Sequence, residues 1–223
     1  MDKDTLQRVA EQTITRYTQR FAQHGYDARA LGWGSGEQQR YRFTQTLAAP
    51  IQWEGRRVLD IGCGFGDYRD FLVDAGQAIA SYQGWDVNPQ LIAEATQRHA
   101  SCPDSIFAVR NHFDPVVEES QITPVADIGI MLGVLNFNLG PDIDNYEYSQ
   151  TAIRRAWALV DDVLIVDFIS SCRVADYAPE PWIFYHDPVR ILEFALTLSP
   201  RVTIKQDYLP IPQREFMLFI ERE

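Results

Sequence analysis

Cysteine is scarce in this chain, and the few cysteines form no pattern. Cys63, Cys102 and Cys172 are an odd, scattered set, and no two of them form a C-x-x-C pair. Such a set argues against a disulfide scaffold and fits a reducing compartment. We therefore expect a cytoplasmic protein.

Long apolar runs are also missing. No run of apolar residues reaches the roughly 20 positions that a membrane-spanning helix needs. Residues 1–20 are polar and carry charges of both signs, unlike a secretory signal. We see no internal repeat and no low-complexity tract. The sequence predicts no membrane partner.

Positive charge is in short supply. The chain has 20 Lys and Arg against 31 Asp and Glu, giving a net charge of -11 and a pI of about 4.8. A surface this negative repels phosphate backbones, so we expect no nucleic-acid partner. Simple solubility also accounts for the acidity.

Apolar residues, in contrast, are plentiful. Of the 223 residues 46% are hydrophobic, and they include 12 Phe and 5 Trp. This is enough for one full core, so we expect residues 1–223 to form a single α/β domain.

The rest of the chain is organised around a strand that ends in glycines. Residues 57–61 form a short β-branched, apolar run that predicts a buried strand. Gly62, Gly64 and Gly66 follow it, and a helical pattern begins directly after them. Strand, glycine turn and helix are the first half of a βαβ unit. Glycine there lets a ligand approach the bare backbone.

A second strand, 82–87, follows about twenty residues later. It carries Asp86 near its end, followed by Asn88 and Pro89, a strong helix-start signal. A carboxylate in this position can accept the hydroxyls of a ribose. The glycine turn and Asp86 therefore predict a nucleoside site.

The glycine spacing narrows the choice of nucleoside. A dinucleotide fold calls for G-x-G-x-x-G, but Asp67 stands where the third glycine belongs. Residues 58–66, Val-Leu-Asp-Ile-Gly-Cys-Gly-Phe-Gly, instead resemble the first motif of class I S-adenosylmethionine-dependent methyltransferases, and residues 82–88 resemble their second.

The remaining strands agree with this resemblance. Apolar runs at 105–109, 126–132 and 163–168 predict three more parallel strands. Strands 201–208 and 215–221 are joined by too few residues for a crossover helix, so the last must run antiparallel. We expect a Rossmann-like, doubly wound seven-stranded sheet, mostly parallel with an antiparallel terminal strand. Residues 51–223 would form this core, with residues 1–50 as an N-terminal helical lid.

The resemblance also implies which residues bind the cofactor, S-adenosyl-L-methionine. The glycine turn would hold the methionine moiety and the ribose, while Asn111 and His112 would border the adenine. The lid would add the aromatic side chain of Trp33 and the guanidinium of Arg42, with Arg40 as an alternative to Arg42. The expected cofactor-binding residues are Trp33, Arg42, Asp60, Gly62, Cys63, Gly64, Asp86, Val87, Asn111, His112, Leu132 and Gly133.

The expected reaction is methyl transfer to an oxygen or nitrogen of a small molecule by in-line displacement. Such a reaction depends mainly on alignment and exclusion of water. Where a general base is needed, His186 is the favoured candidate, with His112, Tyr146 and Tyr185 as others; a helix-capping or rim role for His186 stays open. No metal site is expected. A metal-assisted mechanism of the catechol type needs acidic residues after the fourth and fifth strands, and the fourth strand is followed by Leu132-Gly133 instead of an acid.

Two other functions stay open at this point. One is a non-catalytic module that binds S-adenosylmethionine, and the other is an NAD-dependent oxidoreductase, which Asp67 and the terminal hairpin disfavour. A homodimer is also compatible with the sequence.

Overall fold

The fold is built from six α-helices and seven strands among the residues that the structure describes. The structure is a computed structural model and describes residues 1–49, 51–111, 113, 123–172, 178–208 and 214–223. The helices are α1 Lys3–His24, α2 Gly36–Thr46, α3 Asp67–Asp74, α4 Pro89–Arg98, α5 Asn145–Ala158 and α6 Pro188–Ala195. The strands are β1 Arg57–Ile61, β2 Ser81–Asp86, β3 Ser105–Val109, β4 Ala126–Met131, β5 Val160–Ile169, β6 Arg201–Lys205 and β7 Glu215–Glu221.

The seven strands form one sheet in the order β3-β2-β1-β4-β5-β7-β6. Strands β3, β2, β1, β4 and β5 pair in parallel, and β7 inserts antiparallel between β5 and β6. The strand order reverses next to β1, whose neighbours are β2 and β4. Ligands bind outside the carboxyl ends of the strands at such a switch point. The predicted fold class and the antiparallel terminal strand are confirmed.

Capping residues set the helix starts that position this edge. Asn88 caps α4 by accepting hydrogen bonds from the backbone N–H groups of Gln90 and Leu91 at 2.9 and 3.3 Å. Its amide nitrogen also donates to the carbonyl of Ile14 and to the hydroxyl of Thr18, at 3.1 and 3.0 Å. One buried side chain thus fixes α1 against the start of α4.

Helix α1 lies across the carboxyl edge of the sheet. Leu6 and Val9 are its buried residues, and Leu6 belongs to the same hydrophobic cluster as Leu59 of β1. Since the core holds α1 here, the helix covers whatever space lies beyond the ends of β1, β2 and β4. The role of residues 1–50 as a lid stays a prediction.

Two predicted strands are longer than the observed ones. The predicted strand 126–132 ends at Met131, and the predicted strand 201–208 ends at Lys205. No helix among the described residues is long and apolar enough to cross a membrane.

Candidate functional site

The turn after β1 has a backbone that only glycine adopts easily. Gly62 and Gly64 have φ values of +79° and +55°. A Cβ atom would lie 2.6 Å from Val134 Cγ2 at Gly62 and 2.8 Å from Leu31 Cδ1 at Gly64. Both the dihedral angle and the available space therefore demand glycine, and the turn exposes bare backbone to the adjoining space.

Asp86, at the end of β2, is held against this turn by backbone N–H groups. Its Oδ2 accepts from the Gly64 N–H at 3.1 Å, and its Oδ1 accepts from the Asn88 N–H at 2.8 Å. Burial raises the pKa of the carboxyl, and these hydrogen bonds oppose that effect. A carboxylate has about four acceptor positions, so the group can still accept from a ligand hydroxyl.

Asp60, near the end of β1, is a second buried carboxyl. It is 4% exposed and accepts a hydrogen bond from the hydroxyl of Tyr82, which is itself fully buried. Burial raises the pKa of Asp60 to about 7; the charge of Asp86 acts in the same direction, and the Tyr82 hydrogen bond opposes it. Asp60 is therefore ready to ionise near neutral pH when a cation lies beside it.

The glycine turn and these two carboxyls line one cavity, here called the nucleoside cavity. Its empty volume is about 1030 Å³, including open solvent at the mouth. The wall contains ten of the twelve residues predicted to bind a cofactor. They are Trp33, Asp60, Gly62, Cys63, Gly64, Asp86, Val87, Asn111, Leu132 and Gly133. His112, the eleventh, lies outside the described residues.

Hydrogen bonds also hold Asn111 and Gly133, two further members of this set. The side-chain oxygen of Asn111 accepts a hydrogen bond from the N–H of Phe113 at 3.0 Å, and the side-chain nitrogen takes no part in this bond. The N–H of Gly133 donates to Asp167 of β5 at 2.6 Å. Because the Gly133 peptide is held from behind, its orientation at the end of β4 is fixed before any ligand arrives.

Arg42 does not line the nucleoside cavity, contrary to the prediction. Its guanidinium forms ion pairs with Glu215 of β7 and with Asp167, the latter at 3.7 Å. All three side chains are buried, and a buried charge requires such partners. The register of α2 turns Arg42 towards β5 and β7, while Arg40 pairs with Asp74 on the surface at 3.1 Å.

His186, the predicted general base, also lies elsewhere. It is fully buried, it does not line the nucleoside cavity, and its Nε2 is 2.9 Å from the hydroxyl of Ser149. The rings of Phe168 and Phe184 pack on it at 4.7 and 4.8 Å between centroids. Burial lowers its pKa to about 3, so the imidazole is neutral. This geometry ties the loop before α6 to α5 and gives His186 no access to a substrate.

The cavity also contains residues that sequence reasoning did not assign to a site. Helix α1 contributes Leu6, Ala10, Thr13 and Tyr17 to the wall, and α2 contributes Gln39. Gln39 donates to Asp67 at 3.1 Å and thereby joins the lid to the first turn of α3. The α1 residues recur every three to four positions. This spacing predicts a buried face of the helix, but it does not indicate that the face lines a cavity.

Comparisons with known proteins agree on the fold. No family model and no curated protein sequence matches the chain. An O-methyltransferase family protein from Burkholderia thailandensis is 18% identical with a TM-score of 0.59, covering 93% of this chain and 63% of that protein.

Two further solved structures are similar. The N-methyltransferase NodS from Bradyrhizobium japonicum, in complex with S-adenosylhomocysteine, is 15% identical with a TM-score of 0.54, covering 82% and 86% of the two chains. An rRNA methylase from Streptococcus thermophilus is 14% identical with a TM-score of 0.50, covering 83% and 95%. Their names span different acceptors. The chain therefore has the fold of class I S-adenosylmethionine-dependent methyltransferases.

Proposed function

We propose that this protein is a methyltransferase that uses S-adenosyl-L-methionine to methylate an oxygen or nitrogen atom of a small molecule. The observation that carries the proposal is the convergence of three features in the nucleoside cavity. A glycine turn of bare backbone, the ribose-type carboxylate of Asp86 and the second buried carboxyl of Asp60 all face the same space.

The residues of the cavity fit this cofactor. Asp86 would accept the ribose hydroxyls, and Val87 and Asn111 would border the adenine. Asp60 offers a carboxylate to an ammonium group, and Gly62 and Gly64 present backbone without side chains to the same cavity.

The cofactor, when bound, supplies a methyl group on a positively charged sulfur. The chain's own contribution is alignment and exclusion of water. Asp86 and Asp60 would hold the two ends of the ligand. Helix α1 would cover it with the wall residues Thr13 and Tyr17, while Gly133, braced by Asp167, would fix the backbone beside the reacting centre.

The carboxyls of Asp60 and Asp86 are assigned to the cofactor here, and no other described residue of the nucleoside cavity is an evident general base. Burial raises the pKa of Tyr17 to about 12, which makes its phenol a poor proton acceptor at neutral pH. An acceptor that reaches the site already deprotonated, or that loses its proton to water, suits this wall best.

A small-molecule acceptor is favoured over RNA by the enclosure and by the charge. Helix α1 contributes one wall of the cavity, and the net charge of -11 opposes the approach of a phosphate backbone. The reducing environment implied by three free cysteines supports a cytoplasmic location.

Two other functions remain as alternatives. An NAD-dependent oxidoreductase would need a glycine where Asp67 begins α3, and Asp67 instead accepts a hydrogen bond from the hydroxyl of Tyr26 at 2.7 Å. A non-catalytic module would bind the cofactor but would have no use for an acceptor space. A second cavity next to the first favours the enzyme.

The test is methyl transfer from tritiated S-adenosylmethionine to pools of small oxygen and nitrogen nucleophiles, total RNA and denatured protein. Label in one or more small-molecule pools, absent with Asp86→Ala, supports the proposal. Label only in RNA or protein would refute the acceptor class. Binding of S-adenosylhomocysteine without any transfer would favour the non-catalytic module.

A further inference from the structure

A second cavity adjoins the nucleoside cavity and is here called the acceptor cavity. Its empty volume is about 1320 Å³, including open solvent, and it shares five wall residues with its neighbour. They are Tyr17, Leu31, Trp33, Gly133 and Phe137. Because Gly133 and Trp33 lie on the common wall, a molecule in the acceptor cavity would meet the nucleoside ligand there.

The charge of the acceptor cavity is opposite to that of the protein. Among the described residues, three arginines line it against one acid, Glu180, in a chain with a net charge of -11. Arg42 is already neutralised by its buried acidic partners, as described above. The excess positive charge of the wall therefore comes from Arg16 and Arg20.

These two arginines lie one turn apart on α1 and have no acidic partner among the described residues. The Arg20 guanidinium donates to the backbone carbonyl of Arg29 at 3.1 and 2.5 Å, which positions it without neutralising it. The Arg16 guanidinium lies 3.8 Å from the ring centroid of Phe137, on the loop after β4. Both guanidinium groups are thus held in place, and no acidic side chain among the described residues neutralises their positive charge.

An anion would make this arrangement more favourable. Like charges four positions apart on a helix repel each other. Partial burial lowers the pKa of Arg16, and the charge of Arg20 acts in the same direction. A carboxylate or phosphate between the two would remove the repulsion, and the planar guanidinium is well suited to either group.

The rest of the wall suits an apolar body attached to that anion. Phe137 lies under Arg16, and Trp182 is 51% exposed although it lines the cavity. Ile169 and Ile183 add aliphatic surface. Aromatic faces of this kind bind flat rings. A guanidinium next to them can contact the anionic group of the same ligand at the same time.

We propose that Arg16 and Arg20 form an anion-binding subsite for the acceptor, which is a small molecule with a carboxylate or phosphate group and an aromatic or apolar body. Phe137 and Trp182 contact that body, and the methylated atom lies towards Gly133 and Trp33. This inference rests on the proposed function, because it takes the neighbouring cavity as the cofactor site.

The carboxylate of the cofactor itself is another source of the same charge, so the experiment has two arms. The first measures S-adenosylhomocysteine binding by calorimetry to the wild type, Arg16→Gln and Arg20→Gln. The second titrates benzoate, phenyl phosphate and neutral benzamide into each protein saturated with S-adenosylhomocysteine, followed by ligand NMR. Arg8→Gln, an exposed α1 arginine outside both cavities, is the matched control.

We expect benzoate or phenyl phosphate to bind the wild-type complex about tenfold more tightly than benzamide. Either glutamine variant should abolish that preference, while S-adenosylhomocysteine affinity changes by less than about twofold and Arg8→Gln behaves as wild type.

Three results would overturn the subsite. The variants could weaken S-adenosylhomocysteine instead, which would assign the arginines to the cofactor carboxylate. The three probes could bind equally, or none of them could bind. A wild type that fails to bind S-adenosylhomocysteine in the first arm would refute the proposed function itself, before any probe is added.

Discussion

The buried carboxyl of Asp60 predicts that cofactor affinity depends on pH. In the unliganded protein burial raises its pKa to about 7. An ammonium group beside it favours the ionised form, so a ligand with an amino-acid tail binds best when Asp60 has lost its proton. Affinity for S-adenosylhomocysteine should therefore rise with pH and level off above the pKa of the free protein.

The size of the effect follows from the ionised fraction. A carboxyl with a pKa of about 7 is about 1% ionised at pH 5 and about 90% ionised at pH 8, so the association constant should rise by about a hundredfold over that range. Calorimetry in two buffers of different ionisation enthalpy should also detect proton release near pH 6.

Asp60→Asn is the matched variant, because it keeps the shape of the side chain and removes the titration. Asp86 also has a raised pKa and contributes to the wild-type slope. The difference between wild type and Asp60→Asn isolates the Asp60 contribution. A wild-type affinity that is constant from pH 5 to 8, or an equal slope in Asp60→Asn, would refute the reasoning.

The other two predictions concern stability. Arg42→Met leaves the buried carboxylates of Asp167 and Glu215 unpaired and should lower the free energy of unfolding by about 3–5 kcal/mol in urea titrations. Arg40→Met is the control, because it breaks an ion pair that is exposed. An equal loss of stability in Arg40→Met would contradict the buried pairing. His186 has a depressed pKa of about 3, so the unfolded chain takes up its proton first as the pH falls below about 6.5, and stability is lost on the acid side. Between pH 7 and 5 the wild type should lose about 2 kcal/mol that His186→Gln does not lose, and identical pH profiles would refute this.

The elements of the sheet could be predicted because local signals set them. Short, mainly apolar runs predicted β1 and β5, and the Asn88-Pro89 pair predicted the start of α4. The cavity residues next to these signals were predictable for the same reason: the glycine turn and Asp86 each follow directly from a strand end.

The two misplaced residues depend on contacts that no local pattern encodes. Arg42 is bound by acids from β5 and β7, more than 120 positions away in the chain. His186 was predicted as the general base, but Ser149 and Phe168 bury it against α5 and β5. The rotation of α2 and the folding back of the loop are decided by tertiary packing.

The central claim is that Asp86 and the glycine turn bind S-adenosylmethionine, and calorimetric titration tests it most directly. The wild type should bind S-adenosylmethionine and S-adenosylhomocysteine but not NAD. Asp86→Ala should weaken both by about 1.5–3 kcal/mol, roughly ten- to a hundred-fold or more, since a charge-assisted ribose contact is lost. Asp142→Ala, an exposed acid outside the cavity, should bind as wild type does. Binding of NAD alone, or binding of the sulfur compounds that Asp86→Ala leaves unchanged, would contradict the account.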